Sequence, residues 1–280
     1  MKKFLMMGMA VALMTACEHP MIDAGVGDTA VVTFSVQGSG FNAFTRAVNI
    51  AESDMTDLWV FDYLDGELVR QVVQHAGDDG FGVVSLPLEY GTHVLCFVAS
   101  RGISPSLDVS SGVISWESPR DTYWQKKSVT VSSGVDGEQS VTLQRVATRL
   151  RLTVTDEVPD GLSKVDVKLS KWYCGLDWQT GLAELEQEKT TTISVPSSYA
   201  GTAGDLVMSV FSISDAFEWT ADVEITAMDG GGGVMGYAAI AGAPFVANRT
   251  SEYSGWLFTS NTQAGILLDD EWASSFVGTW

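Results

Sequence analysis

The stretch TAVVTFSVQGSGFNAFTRAVNI, residues 29–50, decides the fold. Its first half places Val32, Phe34 and Val36 at alternate positions with polar residues between them, and this period of two predicts a half-buried β-strand. A glycine-serine turn follows. Arg46 is the one charged residue of the stretch, and its isolation needs an explanation that a strand alone does not give.

The same strand pattern recurs along the whole chain. Fifteen short segments of this kind, among them GWLFTS at 255–260, are separated by turns rich in glycine, aspartate and serine. The one plausible helix is short, around Asp269 to Ser274. Such spacing predicts an all-β sandwich architecture. A polar turn near 136–147 divides the chain into β-sandwiches at 25–143 and 144–280.

Charge and composition exclude two classes of protein. The chain has 35 acidic and 16 basic residues, a formal net charge of −19. Because such a surface repels phosphate backbones, we expect no nucleic-acid partner. Intrinsic disorder is excluded because 45% of the residues are hydrophobic, enough to bury a large core.

The N-terminus has the pattern of an export signal. Residues 1–16, MKKFLMMGMAVALMTA, combine two lysines, a short apolar run and small residues before Cys17. The sequence MTAC at 14–17 resembles a bacterial lipobox, in which the cysteine becomes the acylated first residue. We therefore expect a signal peptide at 1–16, a lipid (palmitate-type) on Cys17, and a tether at 17–24 that joins the membrane to the first sandwich.

The residues that usually carry catalysis show no recognisable arrangement. The three histidines have no carboxylate at triad spacing, and no nucleophile elbow, zinc or phosphate-loop motif is present. The acidic clusters Asp78–Asp79 and Asp269–Glu271 could bind calcium through their oxygens, but both lack the calcium-loop pattern. Cys96 and Cys174 each stand alone in apolar segments, which favours two buried free thiols. We predict no enzyme activity, no cofactor and no metal.

Six aromatic residues near predicted loops allow two interpretations. Exposed rings could stack on sugars, whereas core packing is the commoner fate of large aromatic side chains. The residues are Trp116, Tyr123, Trp124, Trp172, Tyr173 and Trp178.

Several motifs together resemble the fimbrillin superfamily of Bacteroidales, which contains fimbrial shaft and tip subunits and membrane-retained anchor subunits. They include the lipobox, the strand that closes on an arginine, and the strand that opens the second predicted sandwich. The motifs are VVTFSVQGSGFNAFTRA (31–47), MTDLWVFDYLDGELV (55–69), YGTHVLCFVAS (90–100), VTLQRVATRLRLTV (141–154), ANRTSEYSGWLF (247–258) and the terminal GTW.

The resemblance implies two transthyretin-like β-sandwiches in tandem. It also implies a lipoprotein that is carried to the outer membrane, exposed on the cell surface and assembled with other fimbrial subunits by strand exchange, to serve adhesion to a host or bacterial surface. A trypsin-like protease would cut between Arg46 and Ala47 and release the first strand, and the C-terminal run 264–280 would replace it in the next subunit.

Three other roles stay open from the sequence. An anchor subunit would keep its first strand and remain uncut. A surface lipoprotein could bind glycans through the aromatic loops. A secreted hydrolase is the most distant alternative.

Overall fold

The structure, a computed structural model, describes residues 29–38, 55–133, 137–214, 217–259 and 274–279. These residues form seventeen β-strands and one 3-10 turn at Ser197–Tyr199, with no α-helix among them. The prediction of an all-β chain is confirmed. Of the predicted helix around Asp269 to Ser274, only Ser274 is described, and it begins the last strand.

The first nine strands are β1 Thr29–Gly38, β2 Asp57–Leu64, β3 Glu67–His75, β4 Val83–Glu89, β5 Gly91–Ser100, β6 Ile103–Asp108, β7 Val113–Ser118, β8 Thr122–Val131 and β9 Gly137–Arg145. Seven of them form one sheet in the order β3-β2-β5-β8-β9-β1-β4. β8 and β9 pair only at Tyr123–Arg145 and Trp124–Gln144. The sheet therefore folds over at this joint, and its two halves enclose a core.

The hairpin between β2 and β3 shows how local sequence sets the strand pairing. Asp65 and Gly66 form the two-residue turn with positive φ angles of 52° and 87°. Aspartate followed by glycine is favoured here because both positions of this turn need the left-handed conformation. The strands then pair antiparallel from Leu64–Glu67 to Asp57–His75.

The remaining strands are β10 Ala147–Val154, β11 Leu162–Asp177, β12 Ala183–Ser194, β13 Leu206–Ile213, β14 Trp219–Asp229, β15 Val234–Phe245, β16 Arg249–Gly255 and β17 Ser274–Thr279. One sheet has the order β15-β14-β11-β7-β6, with β12 also paired to β11. The other has the order β13-β10-β16-β17. Buried residues of both sheets share one hydrophobic core.

The two cores are built on the same strand pairing. β1 is antiparallel to β4 and parallel to β9, and β10 is antiparallel to β13 and parallel to β16. The β6–β7 hairpin departs from this repetition, because it pairs through β7 with β11 although it precedes β8 in the chain. The predicted boundary between residues 143 and 144 remains a prediction.

A third cluster of buried residues, rich in aromatic rings, connects the two cores. The rings of Phe61 and Trp178 are stacked with centroids 4.0 Å apart and planes at 4°. Trp178 Nε1 also donates a hydrogen bond to the Tyr63 hydroxyl at 2.7 Å. Trp59 and Trp116 make an edge contact at 6.4 Å in the same cluster. Burial of these rings joins the two cores through a shared apolar contact.

One predicted strand is wrong. GWLFTS was expected to be extended, but β16 ends at Gly255 and residues 257–259 form a bend. The Asp156 carboxylate accepts hydrogen bonds from the backbone N–H groups of Leu257, Phe258 and Thr259 at 3.0, 2.7 and 2.9 Å. Because one carboxylate binds three consecutive N–H groups, the segment curls around it and cannot join a sheet.

Candidate strand-exchange site

Strand β1 lies inside the first sandwich and is buried along one face. Ala30, Val32, Phe34 and Val36 are exposed by 7, 1, 0 and 2%, respectively, whereas Val31 on the other face is 53% exposed. This is the alternation that the sequence predicts for a half-buried strand. The Phe34 ring lies 5.5 Å from the ring of Phe97 on the facing layer. The strand therefore fills a continuous apolar groove.

Both long edges of β1 are paired. Residues Thr29 to Ser35 pair with β4, and residues Val32 to Gly38 pair with β9, seven residue pairs on each side. Because β1 is the only strand between β4 and β9 in the sheet order, its departure would separate these two strands. A gap one strand wide, with free N–H and C=O groups on both sides, would then lie open over the core.

β4 has contacts that could hold it in place without β1. The Arg70 guanidinium donates a hydrogen bond to the Pro87 carbonyl at 2.5 Å, from β3 to β4. Gln74 of β3 bonds the Val83 carbonyl at 3.0 Å and accepts from the Gly82 N–H at 2.9 Å. β3 and β4 end the sheet order, so these bonds join its two outer strands. Strand β4, which forms one side of the groove, is therefore held by hydrogen bonds from β3 as well as by its pairing with β1.

A buried polar pair fastens the other end of β4. His93 Nδ1 lies 2.6 Å from Asp62 Oδ1, and His93 Nε2 lies 2.9 Å from the Glu89 carbonyl. Both side chains are exposed by only 1%. Since the carbonyl can only accept, the His93 ring donates to it through Nε2. Glu89 pairs with Thr29, so the pair supports the start of the groove.

The residues predicted to act in lipidation and cleavage lie outside the described residues. These are the signal peptide, the tether, Cys17, Arg46 and Ala47. The described chain brackets the cleavage position, because β1 ends at Gly38 and the next described residue, Met55, is already buried at 2% exposure. Of the seventeen residues of the predicted donor run 264–280, only 274–279 are described, as β17.

Among the described strands, β17 is an edge strand that pairs on one side, with β16. It lies parallel to β16, from Arg249–Ser274 to Ser254–Thr279, and ends the four-stranded sheet. Gly278 lies against the Tyr253 ring, and a side chain there would collide with Tyr253 Cε1. The sequence pattern did not predict this strand, because its residues SSFVGT do not alternate clearly.

The aromatic side chains proposed as a sugar platform are mostly core residues. Trp116, Tyr123, Trp172 and Trp178 are exposed by 2% or less. Trp124 is half-buried and donates from Nε1 to the Trp178 carbonyl at 2.8 Å. Core packing is therefore the correct interpretation for this set, and stacking of sugars on these four rings is excluded by their burial.

Both described cysteines are buried free thiols, as the sequence predicts. Burial raises the pKa of the Cys96 thiol to about 12, and Lys126 opposes this shift only partly. Burial also raises the pKa of Cys174, against a hydrogen bond from the Gln187 amide. Because the thiolate is the reactive form, neither sulfur is poised for chemistry.

Within the described ranges, no group of three or more histidine, cysteine or acidic side chains could hold a metal ion. The Asp78 carboxylate accepts from the His75 N–H at 2.6 Å and so closes a turn. The described part of the chain contains no helix that is long and apolar enough to cross a membrane.

Comparison with known proteins finds solved structures that are similar to this chain. The chain matches no protein-family model and no curated protein. A protein described as a "putative adhesin" from Bacteroides ovatus superposes with a TM-score of 0.51 at 12% identity, over 75% of this chain and 77% of its own. A second protein so described, from Bacteroides ovatus ATCC 8483, gives 0.53 at 10% identity, over 76% and 82%.

The fimbrial anchor protein Mfa2 from Porphyromonas gingivalis gives a TM-score of 0.44 at 14% identity, over 75% of this chain and 82% of its own. Sequence identity to the two Bacteroides ovatus structures is low, so the comparison with them shows a shared all-β fold.

Proposed function

We propose that this chain is a structural subunit of a bacterial cell-surface fimbria, exported as a lipoprotein, assembled by strand exchange and serving adhesion. The observation that carries the proposal is β1, an apolar strand held between β4 and β9 whose removal would leave a groove shaped for another strand. Two further facts support it: the motif pattern of the sequence, and a fold shared with proteins described as adhesins.

During export, β1 protects the first sandwich. A sheet that lacked this strand would expose a row of unpaired N–H and C=O groups and would associate prematurely. The signal peptide directs the chain to the envelope, and the lipid on Cys17 holds it at the outer membrane, exposed to the outside.

Cleavage between Arg46 and Ala47 then separates β1 from the rest of the sandwich. This peptide bond lies between the end of β1 at Gly38 and the buried Met55. β1 leaves with the lipid, and an extended segment of the next subunit adds to β4 and β9 through main-chain hydrogen bonds. Arg46 stands alone in its stretch because a single basic residue makes the cleavage site unambiguous.

The donor is the C-terminal run 264–280. Its described part, β17, gives up pairing with one strand only when it leaves β16. The role is structural and requires no catalytic residue, cofactor or metal; the partners are other fimbrial subunits and the outer membrane.

The N-terminus of the protein isolated from cells tests the cleavage. We expect fibre-associated protein to begin at Ala47, and Arg46→Ala to block both cleavage and polymer formation. Lys126→Ala, at an exposed basic residue of β8, is the matched control and should polymerise normally. If the protein still begins at lipidated Cys17 while fimbriae are present, the strand-exchange role fails and the anchor role replaces it.

Lipidation has its own test. Cys17→Ser should release the protein from the membrane fraction or leave an unprocessed precursor, because the thioether supplies the whole anchor. Membrane attachment that is unchanged in this variant would refute the lipoprotein assignment.

A further inference from the structure

A cleft opens on the second sandwich, away from β1. Strand β12 lies at an edge of one sheet and β13 at an edge of the other, and the cleft lies between them. Segment 117–120, which leads from β7 to β8, closes one end. The volume is about 390 Å³, within the range of small-ligand sites.

Two cations line the cleft, and aromatic rings hold both of them. The Arg120 guanidinium carbon lies 5.7 Å from the centre of the Phe211 ring, and Lys189 Nζ lies 4.8 Å from the centre of the Trp172 ring. Contact with a ring face positions a cation and leaves its N–H donors unused. Glu117 also lines the cleft, and in the described part of the chain neither cation forms a salt bridge with it or with any other acid.

This arrangement is unusual for the chain. Acidic residues outnumber basic ones by 35 to 16, and nearby lysines are paired: Lys168 with Glu188 at 3.0 Å and Lys171 with Glu186 at 3.2 Å. A basic side chain left without a carboxylate in an acidic protein is available for an anion from outside. Arginine in particular binds a carboxylate through two parallel hydrogen bonds.

The rest of the lining selects for a saccharide over a bare anion. Ser118, Thr190 and Ser209 line the cleft, and hydroxyl side chains are suited to the hydroxyl groups of a sugar ring. Pro119 and Val210 also line the cleft, and their apolar side chains are suited to the C–H face of the ring. An opening between two strand edges also admits one end of a longer chain.

We propose that this cleft binds a saccharide that carries a carboxylate, with the acid group between Arg120 and Lys189 and the ring against the hydroxyl-lined wall. The inference names a ligand class for adhesion and rests on the adhesive part of the proposed function. It does not depend on strand exchange, and the binding measurement below involves no polymer, so the two can fail separately.

The test is calorimetric titration of the purified full-length chain with digalacturonate, a glucuronate disaccharide and sialyllactose. At least one should bind, and its methyl ester, which keeps the ring and removes the charge, should bind at least about tenfold more weakly. Arg120→Gln and Lys189→Gln should each weaken binding by a similar factor. Lys127→Gln, the matched control on β8, should leave the affinity within about twofold.

Four results would overturn the proposal. They are no binding of any of the three acids at about 10 mM, equal binding of acid and methyl ester, equal loss in the Lys127 control, and displacement of the sugar by sulfate at the same concentration. The last result would reduce the cleft to a general anion site. Circular dichroism of each variant establishes that it is folded, and Thr190→Val, which removes one hydroxyl and no charge, should weaken binding by a smaller factor than Arg120→Gln.

Discussion

Phe34→Ala tests how strongly β1 holds the first sandwich. Phe34 is fully buried, its neighbours on the same face are exposed by 1 and 2%, and its ring meets Phe97 at 5.5 Å. Truncation of a buried phenylalanine costs about 3–5 kcal/mol. Because β4 and β9 enclose the strand on both sides, the cavity cannot collapse easily, and we expect about 4 kcal/mol.

Urea denaturation followed by tryptophan fluorescence measures this loss. Val31→Thr is the control, since Val31 is 53% exposed on the opposite face of the same strand and should change the free energy of unfolding by less than about 0.5 kcal/mol. Phe34→Leu keeps most of the volume and should cost less than about 1.5 kcal/mol, so it remains measurable if the alanine variant does not fold.

The same substitution predicts a change in assembly. If β1 leaves the groove after cleavage, a loss of about 4 kcal/mol raises the equilibrium population of the open groove about a thousandfold. Cleaved Phe34→Ala should therefore exchange its strand faster than cleaved wild type or Val31→Thr. A loss below about 1 kcal/mol, or equal effects of Phe34→Ala and Val31→Thr, would refute the view that this face of β1 holds the sandwich together.

Three further predictions concern other parts of the fold. His93→Ala should destabilise the chain by about 3–5 kcal/mol, because it leaves the Asp62 carboxyl buried without its partner; a loss below about 1 kcal/mol in urea denaturation would contradict this. Asp156→Ala should cost about 1–3 kcal/mol and speed hydrogen exchange at residues 257–259, which lose their acceptor; unchanged exchange there would be the contrary result. Burial raises the pKa of Cys96 from 9.0 to about 12, so the unfolded thiol ionises first and stability should fall as the pH rises from about 9 to about 12; the same slope in Cys96→Ala would show that another group is responsible.

The sequence predicted the features that depend on neighbouring residues. The alternation of Val32, Phe34 and Val36 gave β1 and its buried face, and the Asp65–Gly66 pair gave the β2–β3 turn. Both signals are local, because side-chain direction alternates along a strand and positive φ angles favour particular residues.

Features that depend on distant partners could not be predicted. β6, ISPSLD, has exposed side chains and a proline, and it is a strand only because β7 pairs with it. GWLFTS has the composition of a strand, yet Asp156, about a hundred residues earlier, curls it into a bend. The cleft is a similar case, since Arg120 and Lys189 belong to separate segments that meet only after folding.

The covalent order of the chain explains why β1, of two strands with equivalent pairing, is the one suited to exchange. β10 lies between β13 and β16 as β1 lies between β4 and β9, but only Val146 separates it from β9, and it continues through residues 155–161 into β11. To remove β10, two cuts would be needed, and each would break the connection between strands of the folded chain. Among the described residues, the next strand after β1 is β2, which begins at Asp57. A single cut between Gly38 and Met55 therefore frees β1 while every later strand remains in one chain. Arg46 lies inside this interval, so a cut there should open the groove. A cut after β9, at Arg145, should instead destroy the fold.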